Sequence, residues 1–497
     1  MSELVITHRY PRALSADGTR PDDAPNWIDD IDNPYLHGFY APIQTEYTVD
    51  ELEIVEGAIP QDLCGAYFRN GPNQIYKPKN RYHWFDGDGM IYGIWFKDGK
   101  ASFKNRWIRT EAYAMEQEAK QAIWPGVLGP FDFSLPISPI KDTANTDLVF
   151  FNRSLIALWY ESGKPYMLDP LTLETKGVET LRGQLTWPVS AHAHHDAITG
   201  ELIFFNSGHK PPYMQYGVIN KQGEIHKTDI DLPGPRRPHD IGITQDYSIL
   251  HDFPIFYNEE QFKKTGKRLP LFHPEVATRF GVIPRYGRNE DVRWFECQPC
   301  YMLHVVNSWE DGDWIVMVGC ITKDPTFKPE PEDGDIGSML SFLKLRANLY
   351  EWRFNLKTGE VIEGDLDGLN AEFPMINENF RGLKNRFAYL QDIPYKIPAL
   401  FEGLIKYDIG NGTLLAQWQY GPGIYGSEAP FAAKTGATGE DDGYVLTMVT
   451  DTNDWSSYCL VFDAKNINQG PMTKLRLPQR MPCGFHTRWV AGEEIFD

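Results

Sequence analysis

Cysteine, basic charge and long apolar runs are all scarce in this chain. Six cysteines among 497 residues are too few for a disulfide scaffold. Lys and Arg number 48 against 68 Asp and Glu, a net charge of −20. That balance argues against a nucleic-acid partner, which needs a basic face, and against simple electrostatic docking on anionic lipid. No stretch reaches the roughly 18 consecutive apolar residues of a membrane-spanning helix. The opening residues, MSELVITHRYPRALSADGTRPDD, have no apolar core like that of a signal peptide, so the expected location is cytoplasmic. WD and kelch signatures are missing, as is a convincing Gly-rich dinucleotide loop.

What is present points to a folded, turn-rich chain. A hydrophobic share of 42% and an aromatic share of 13% exclude disorder. With 43 Gly and 36 Pro, many turns separate short elements. Residues 1–35 are polar and rich in Pro and Asp, and read as an N-terminal arm. From 36 to 497 one texture persists, short apolar or aromatic runs alternating with turn signals, and this reads as a single domain. Asp98–Gly99, Gln222–Gly223, Thr358–Gly359 and Asn411–Gly412 each place a turn between two strand-like runs. Helical periodicity is confined to short pieces, Thr110 to Ile123 and a stretch near 338–346. Many hairpins without βα alternation predict a large all-β protein, its repeated strand–turn–strand unit matching the blades of a β-propeller.

Histidine is the informative residue. His192 lies in SAHAHHDAITGE (190–201), His239 in RPHDIGIT (237–244), His304 in CYMLHVVNSWE (300–310) and His486 in MPCGFHTRW (481–489). Each opens or ends a strand-like segment. A seven-bladed propeller of this size would repeat about every 65 residues, so one His from each of four blades could face a central axis and bind a metal. On a regular strand His192 and His194 would share a face and His195 take the other, which leaves open a ligand pair from 192 and 194 or His192 alone. Cys297 and Cys300 have Cys-x-x-Cys spacing but no further zinc ligands in view, and read as structural. Phe85-Asp-Gly-Asp-Gly reads as a tight turn rather than a calcium loop.

Several motifs in order resemble the carotenoid cleavage oxygenase family, from about Asn33 to Trp489. They are NPYLHGF (33–39), FRNGPN (68–73), HWFDGDGM (83–90), ANT (144–146), NEDVRWF (289–295), EFP (372–374) and LPQRMPCGFH (477–486). The resemblance implies a seven-bladed β-propeller with a helical and loop cap over an axial Fe(II), held by His192, His239, His304 and His486. It implies that Glu161, Glu372 and Glu428, the last in GSEAPF, orient three of the four imidazoles. It also implies that Thr146 sits near the open iron position. Ala193 stands where the family usually has Pro. The interval from Thr146 to Glu161 is one residue longer than the family pattern, which a bulge would absorb.

Such an iron site uses O2 to cleave a C=C bond into two carbonyls without an external reductant. The family's phenol-reading branch carries a Lys before the first of these Glu residues and a Tyr segment. Here Tyr160 precedes Glu161, and Pro125–Phe131 replaces the Tyr segment. An apolar wall favours a carotenoid or apocarotenoid polyene over a stilbene or phenylpropene. Isomerisation or mere binding by a propeller are less favoured readings. Tyr160, Phe85, Phe131 and Phe133 are the candidate substrate contacts. The apolar stretch AIWPGVLGPFDFSLPISPI (122–140) is a candidate tunnel mouth or peripheral membrane contact.

Overall fold

The computed structural model describes residues 24–30, 33–135, 137–257, 259–267, 270–323, 325, 346–394 and 398–496. The hairpins form where the turn residues allow. Lys97 pairs with Lys100 across Asp98 and Gly99, whose φ values of 53° and 70° give the doubly left-handed turn that matches strand twist. Hairpins also close around 222–223, 358–359 and 411–412. Among the described residues the long sheets are antiparallel and follow one another along the chain.

The first sheet joins Thr48–Val49, Lys100–Trp107, Asp88–Lys97 and Gly65–Asn73 to Thr487–Ala491 from the far end of the chain. The second runs from Asp147–Phe151 to Thr175–Val178, the third from His194–Asp196 to Ile225–Ile230, and the fourth from Gly242–Ile243 to Arg293–Cys297. The fifth begins at Tyr301–Asp311 and shares the 15-residue strand Val361–Met375 with the sixth, which ends at Thr413–Gln419. Residues 361–370 of that strand pair backwards with 348–354, and 371–375 pair forwards with 389–392. The seventh contains Gly443–Asp451, Ser456–Asp463 and Thr473–Arg476, and takes Ile54–Gly57 from near the start of the chain. Both ends of the chain are therefore knitted into sheets begun at the other.

Neighbouring strand residues face different partners, because successive side chains alternate across a sheet. Tyr67 and Tyr92 pack with Leu446 and Val461 of the seventh sheet, while Phe68 and Ile91 pack with Leu148 and Leu155 of the second. The same division continues from sheet to sheet: Val149 with Phe204, Ile203 with Leu250, Ile249 with Met317, Val318 with Leu390, and Tyr389 with Val445. Each sheet is thus buried on both faces, and the seventh packs back on the first.

Thr110 caps the helix Glu111–Ala119 by accepting the Tyr113 N–H, within the stretch expected to be helical. The second such stretch, near 338–346, lies outside the described residues but for its last position. Ile28 and Tyr35, assigned from sequence to the arm, are buried in one cluster with Leu36, Trp84, Phe373 and Phe485. Their own apolar side chains account for that packing. No helix among the described residues is long and apolar enough to cross a membrane.

Candidate metal centre

The edge strands of the sheets deliver the site. His192 precedes the first strand of the third sheet, His239 that of the fourth, and His304 lies within that of the fifth. His486 precedes Thr487–Ala491, the strand that closes the first sheet. The four imidazoles meet: each offers one nitrogen, and these atoms lie within 4.8 Å of one another. All four residues are only 5–6% exposed. Ring centroids of His192 lie 4.8, 4.9 and 4.5 Å from those of His239, His304 and His486.

Two rings are fixed by carboxylates. His304 Nδ1 is 2.5 Å from Glu372 Oε2, and His486 Nδ1 is 2.9 Å from Glu428 Oε1. Such bonds set the tautomer by placing the proton on Nδ1 and leaving Nε2 as a donor of electrons. The Nε2 atoms of His192 and His304 are buried with no hydrogen-bond partner. Buried polar atoms are seldom left so, and a cation between the rings would satisfy them. Burial, reinforced by the neighbouring imidazoles, pushes His192 and His239 well below the ordinary histidine range. Their resting form is the neutral ring that ligates metal. Burial disfavours charge on His486, but Glu428, with Asp147 and Glu372, raises its pKa overall.

Glu161 is placed differently. Its carboxylate lies 3.3 Å from Arg237 and 3.6 Å from His209, and Nδ1 of His239 has no hydrogen-bond partner. The Tyr160 ring instead lies 4.5 Å from the His239 ring. Backbone φ values of 80° at Glu161 and 155° at Ser162 mark an irregularity where the interval from Thr146 carries one extra residue.

Thr146 accepts the Tyr160 N–H at 3.0 Å through Oγ1, and its carbonyl accepts the His486 N–H at 3.3 Å. His192 has φ of 63°, so the simple alternation expected across 192–195 does not hold. Only His192 joins the cluster. His194 turns to Asp240, 2.9 Å away, and His195 contacts Phe151.

Phe85 packs on Tyr160 and Phe485. Phe131 and Phe133 pack on Phe262 of the short helix Glu259–Thr265. Sequence reasoning missed Phe373, whose ring lies 5.1 Å from His304 and 5.2 Å from His486. It also missed Arg237 and Asp147; Phe373 and Arg237 lie within quoted motifs, and Asp147 directly follows one. Phe373 and Phe485 belong to an apolar cluster with Tyr35, Phe39, Trp84 and Phe401. A polar cavity lined by Asp147, His194, Asp240, Glu378, Arg381 and Arg488 also reaches the histidines. Cys297 and Cys300 are buried free thiols, which burial pushes above the ordinary range. Asp86 accepts the His83 and Val127 N–H groups, and Asp88 pairs with Lys141.

The family model described as retinal pigment epithelial membrane protein (RPE65) matches residues 40–491. The chain is 35% identical to carotenoid 9,10(9',10')-cleavage dioxygenase 1 of Arabidopsis thaliana, over 93% of this chain and 90% of that protein. It is 29% identical to isoeugenol monooxygenase of Pseudomonas nitroreducens, over 92% of this chain and 98% of that protein. Its structure resembles that of Pseudomonas brassicacearum lignostilbene dioxygenase with a TM-score of 0.82 and 25% identity, covering 93% of this chain and 99% of that one. A four-histidine cluster on this scaffold, matched over nearly its full length, identifies the chain as an oxygenase of the RPE65/carotenoid cleavage oxygenase family.

Proposed function

We propose that this chain is a non-haem Fe(II) oxygenase that uses O2 to cleave one C=C bond of a carotenoid or apocarotenoid into two carbonyl products. The observation that carries this reading is the meeting of four buried imidazoles, two of them held by carboxylates, beside an aromatic wall. The seven sheets act as the blades of one propeller domain, with the histidines on its axis. His192, His239, His304 and His486 would hold the iron as neutral donors. When bound, Fe(II) supplies the open-shell route by which O2 reacts with a closed-shell alkene.

The chain's own residues do the rest. Glu372 and Glu428 hold the Nδ1 protons of His304 and His486, so that each Nε2 stays free to ligate. Thr146 ties the Tyr160 and His486 backbones together beside the histidine cluster. Phe85, Phe373 and Phe485 offer a polyene an apolar surface and keep water from the reacting bond. Glu161 is proposed to act through Arg237, next to Tyr160. Phe131 and Phe133 are proposed contacts at the substrate's entrance. There, exposure of Phe133 at 68% and Ile137 at 46% supports peripheral membrane contact by 122–140.

The second reading is the same chemistry on a stilbene or phenylpropene. It is favoured by one feature, the Arg237 Nη2 lying 3.4 Å from the Tyr160 hydroxyl beside His239, a polar pair suited to a phenol. The polyene reading ranks first because the carotenoid-cleaving relative has 35% identity against 29% for the isoeugenol enzyme. Iron-loaded protein incubated under air with an apocarotenal or a 4-hydroxystilbene, with products read by mass, separates the two. Shortened apocarotenoid aldehydes are expected. Benzaldehydes alone would transfer the assignment to the aryl alkene.

A further inference from the structure

We propose that Asp147 is the positioning residue for His192, supplying a carboxylate to an imidazole that none of the three motif glutamates serves. This rests on the reading of His192 as a metal ligand. Asp147 opens the first strand of the second sheet, directly after Thr146, and is buried. Its Oδ2 accepts the backbone N–H of His192 at 3.0 Å. The same oxygen lies 3.7 Å from His192 Nδ1. Its Oδ1 accepts the Leu148 N–H at 2.7 Å, so the carboxylate is held at both oxygens.

Two effects follow from that geometry. The first acts on the backbone. His192 has φ of 63°, a region that side-chain-bearing residues adopt only when their surroundings impose it. The bond to Asp147 is one such constraint, and it aims the ring at the cluster rather than along the strand. The second acts on the ring. A carboxylate facing Nδ1 favours the tautomer with its proton there, which leaves the unpartnered, buried Nε2 to bind a cation. At 3.7 Å the ring and carboxylate are not hydrogen-bonded. A small ring rotation as Nε2 is drawn to an ion would close the gap.

The two effects are separable. Asp147→Asn keeps an oxygen for the His192 N–H but removes the charge. Asp147→Ala removes both. Asp147→Ser retains a small acceptor and serves as the second variant should the amide prevent folding. Metal-free wild type, these variants and Glu372→Gln would be titrated with Co(II) against a competing chelator, recording visible spectra and melting temperatures. Asp147→Asn, or Ser in its place, should melt like wild type yet bind Co(II) about 10-fold or more weakly. Its ligand-field bands should shift, a change that a mere backbone brace would not cause. Wild-type affinity and unshifted bands in these variants, with Glu372→Gln weakened, would overturn the role of Asp147 and leave the metal site standing. Failure of the wild type to bind Co(II) would overturn both.

Discussion

The two halves of the histidine cluster are built differently. His304 and His486 each face a glutamate at hydrogen-bond distance, at 2.5 and 2.9 Å. His192 faces an aspartate at 3.7 Å, and His239 has a tyrosine ring beside it and an Nδ1 without a partner. Burial is equal in the two halves, so exposure does not explain the difference. Backbone geometry does. Glu372 lies in the part of Val361–Met375 that belongs to the sixth sheet, and Glu428 lies between Ile424–Tyr425 and Phe431–Ala433 of the seventh; they reach rings from the neighbouring fifth and first sheets. Glu161 and His192 sit where the backbone turns left-handed, at φ of 80° and 63°, and side chains there are re-aimed. A shared set of motif residues does not guarantee a shared pattern of support around the four imidazoles.

Substitutions can break or sharpen this contrast. The largest effect belongs to the ligands themselves: His239→Ala or His304→Ala should lose iron and turnover together. Stoichiometric iron with normal turnover would remove that histidine from the site. Next, Glu372→Gln and Glu428→Gln should each keep the fold and weaken metal affinity or rate by about 10–100-fold, read by metal titration and kinetics. Glu161→Gln should weaken metal binding less than either. An equal loss would erase the difference between the halves.

The position with the smallest expected effect on metal binding is His251, a buried histidine outside the cluster with both ring nitrogens unpartnered; its effect is on stability. Its neighbours are Phe253 and Phe280. Burial, with a smaller contribution from His194, lowers its pKa to about 4 against the raising effect of Asp240. An unfolded histidine protonates near 6.5, so between about pH 6.5 and 4 the unfolded chain binds the extra proton. This contribution to stability is complete above that window and is lost as pH falls through it. His251→Phe should therefore lose about 2 kcal/mol less stability than wild type between pH 7 and pH 5, measured by denaturant unfolding. An identical pH dependence would mean that His251 is not held neutral by the fold.

Much of this architecture was legible in the sequence, for local reasons. Turn chemistry is a property of adjacent residues, so Asp98–Gly99 and its counterparts marked hairpins that form. His192, His239, His304 and His486 stood out because each adjoins a strand-like run within a recognisable motif, and the four do converge. What could not be read depends on distant backbone. Regular alternation would pair His192 with His194 on one face, yet a left-handed residue interrupts it. The displacement of Glu161 toward Arg237 was signalled only by one extra residue after Thr146. The packing of Ile28, Tyr35 and Leu36 on Phe485 joins residues hundreds of positions apart, which no local pattern encodes.

The most direct test is Fe K-edge absorption spectroscopy on the iron-loaded protein, with iron content measured on the same sample. One iron per chain with scattering from four imidazoles is expected from the four histidines. Iron that washes off, or that is coordinated chiefly by oxygen, would contradict the site.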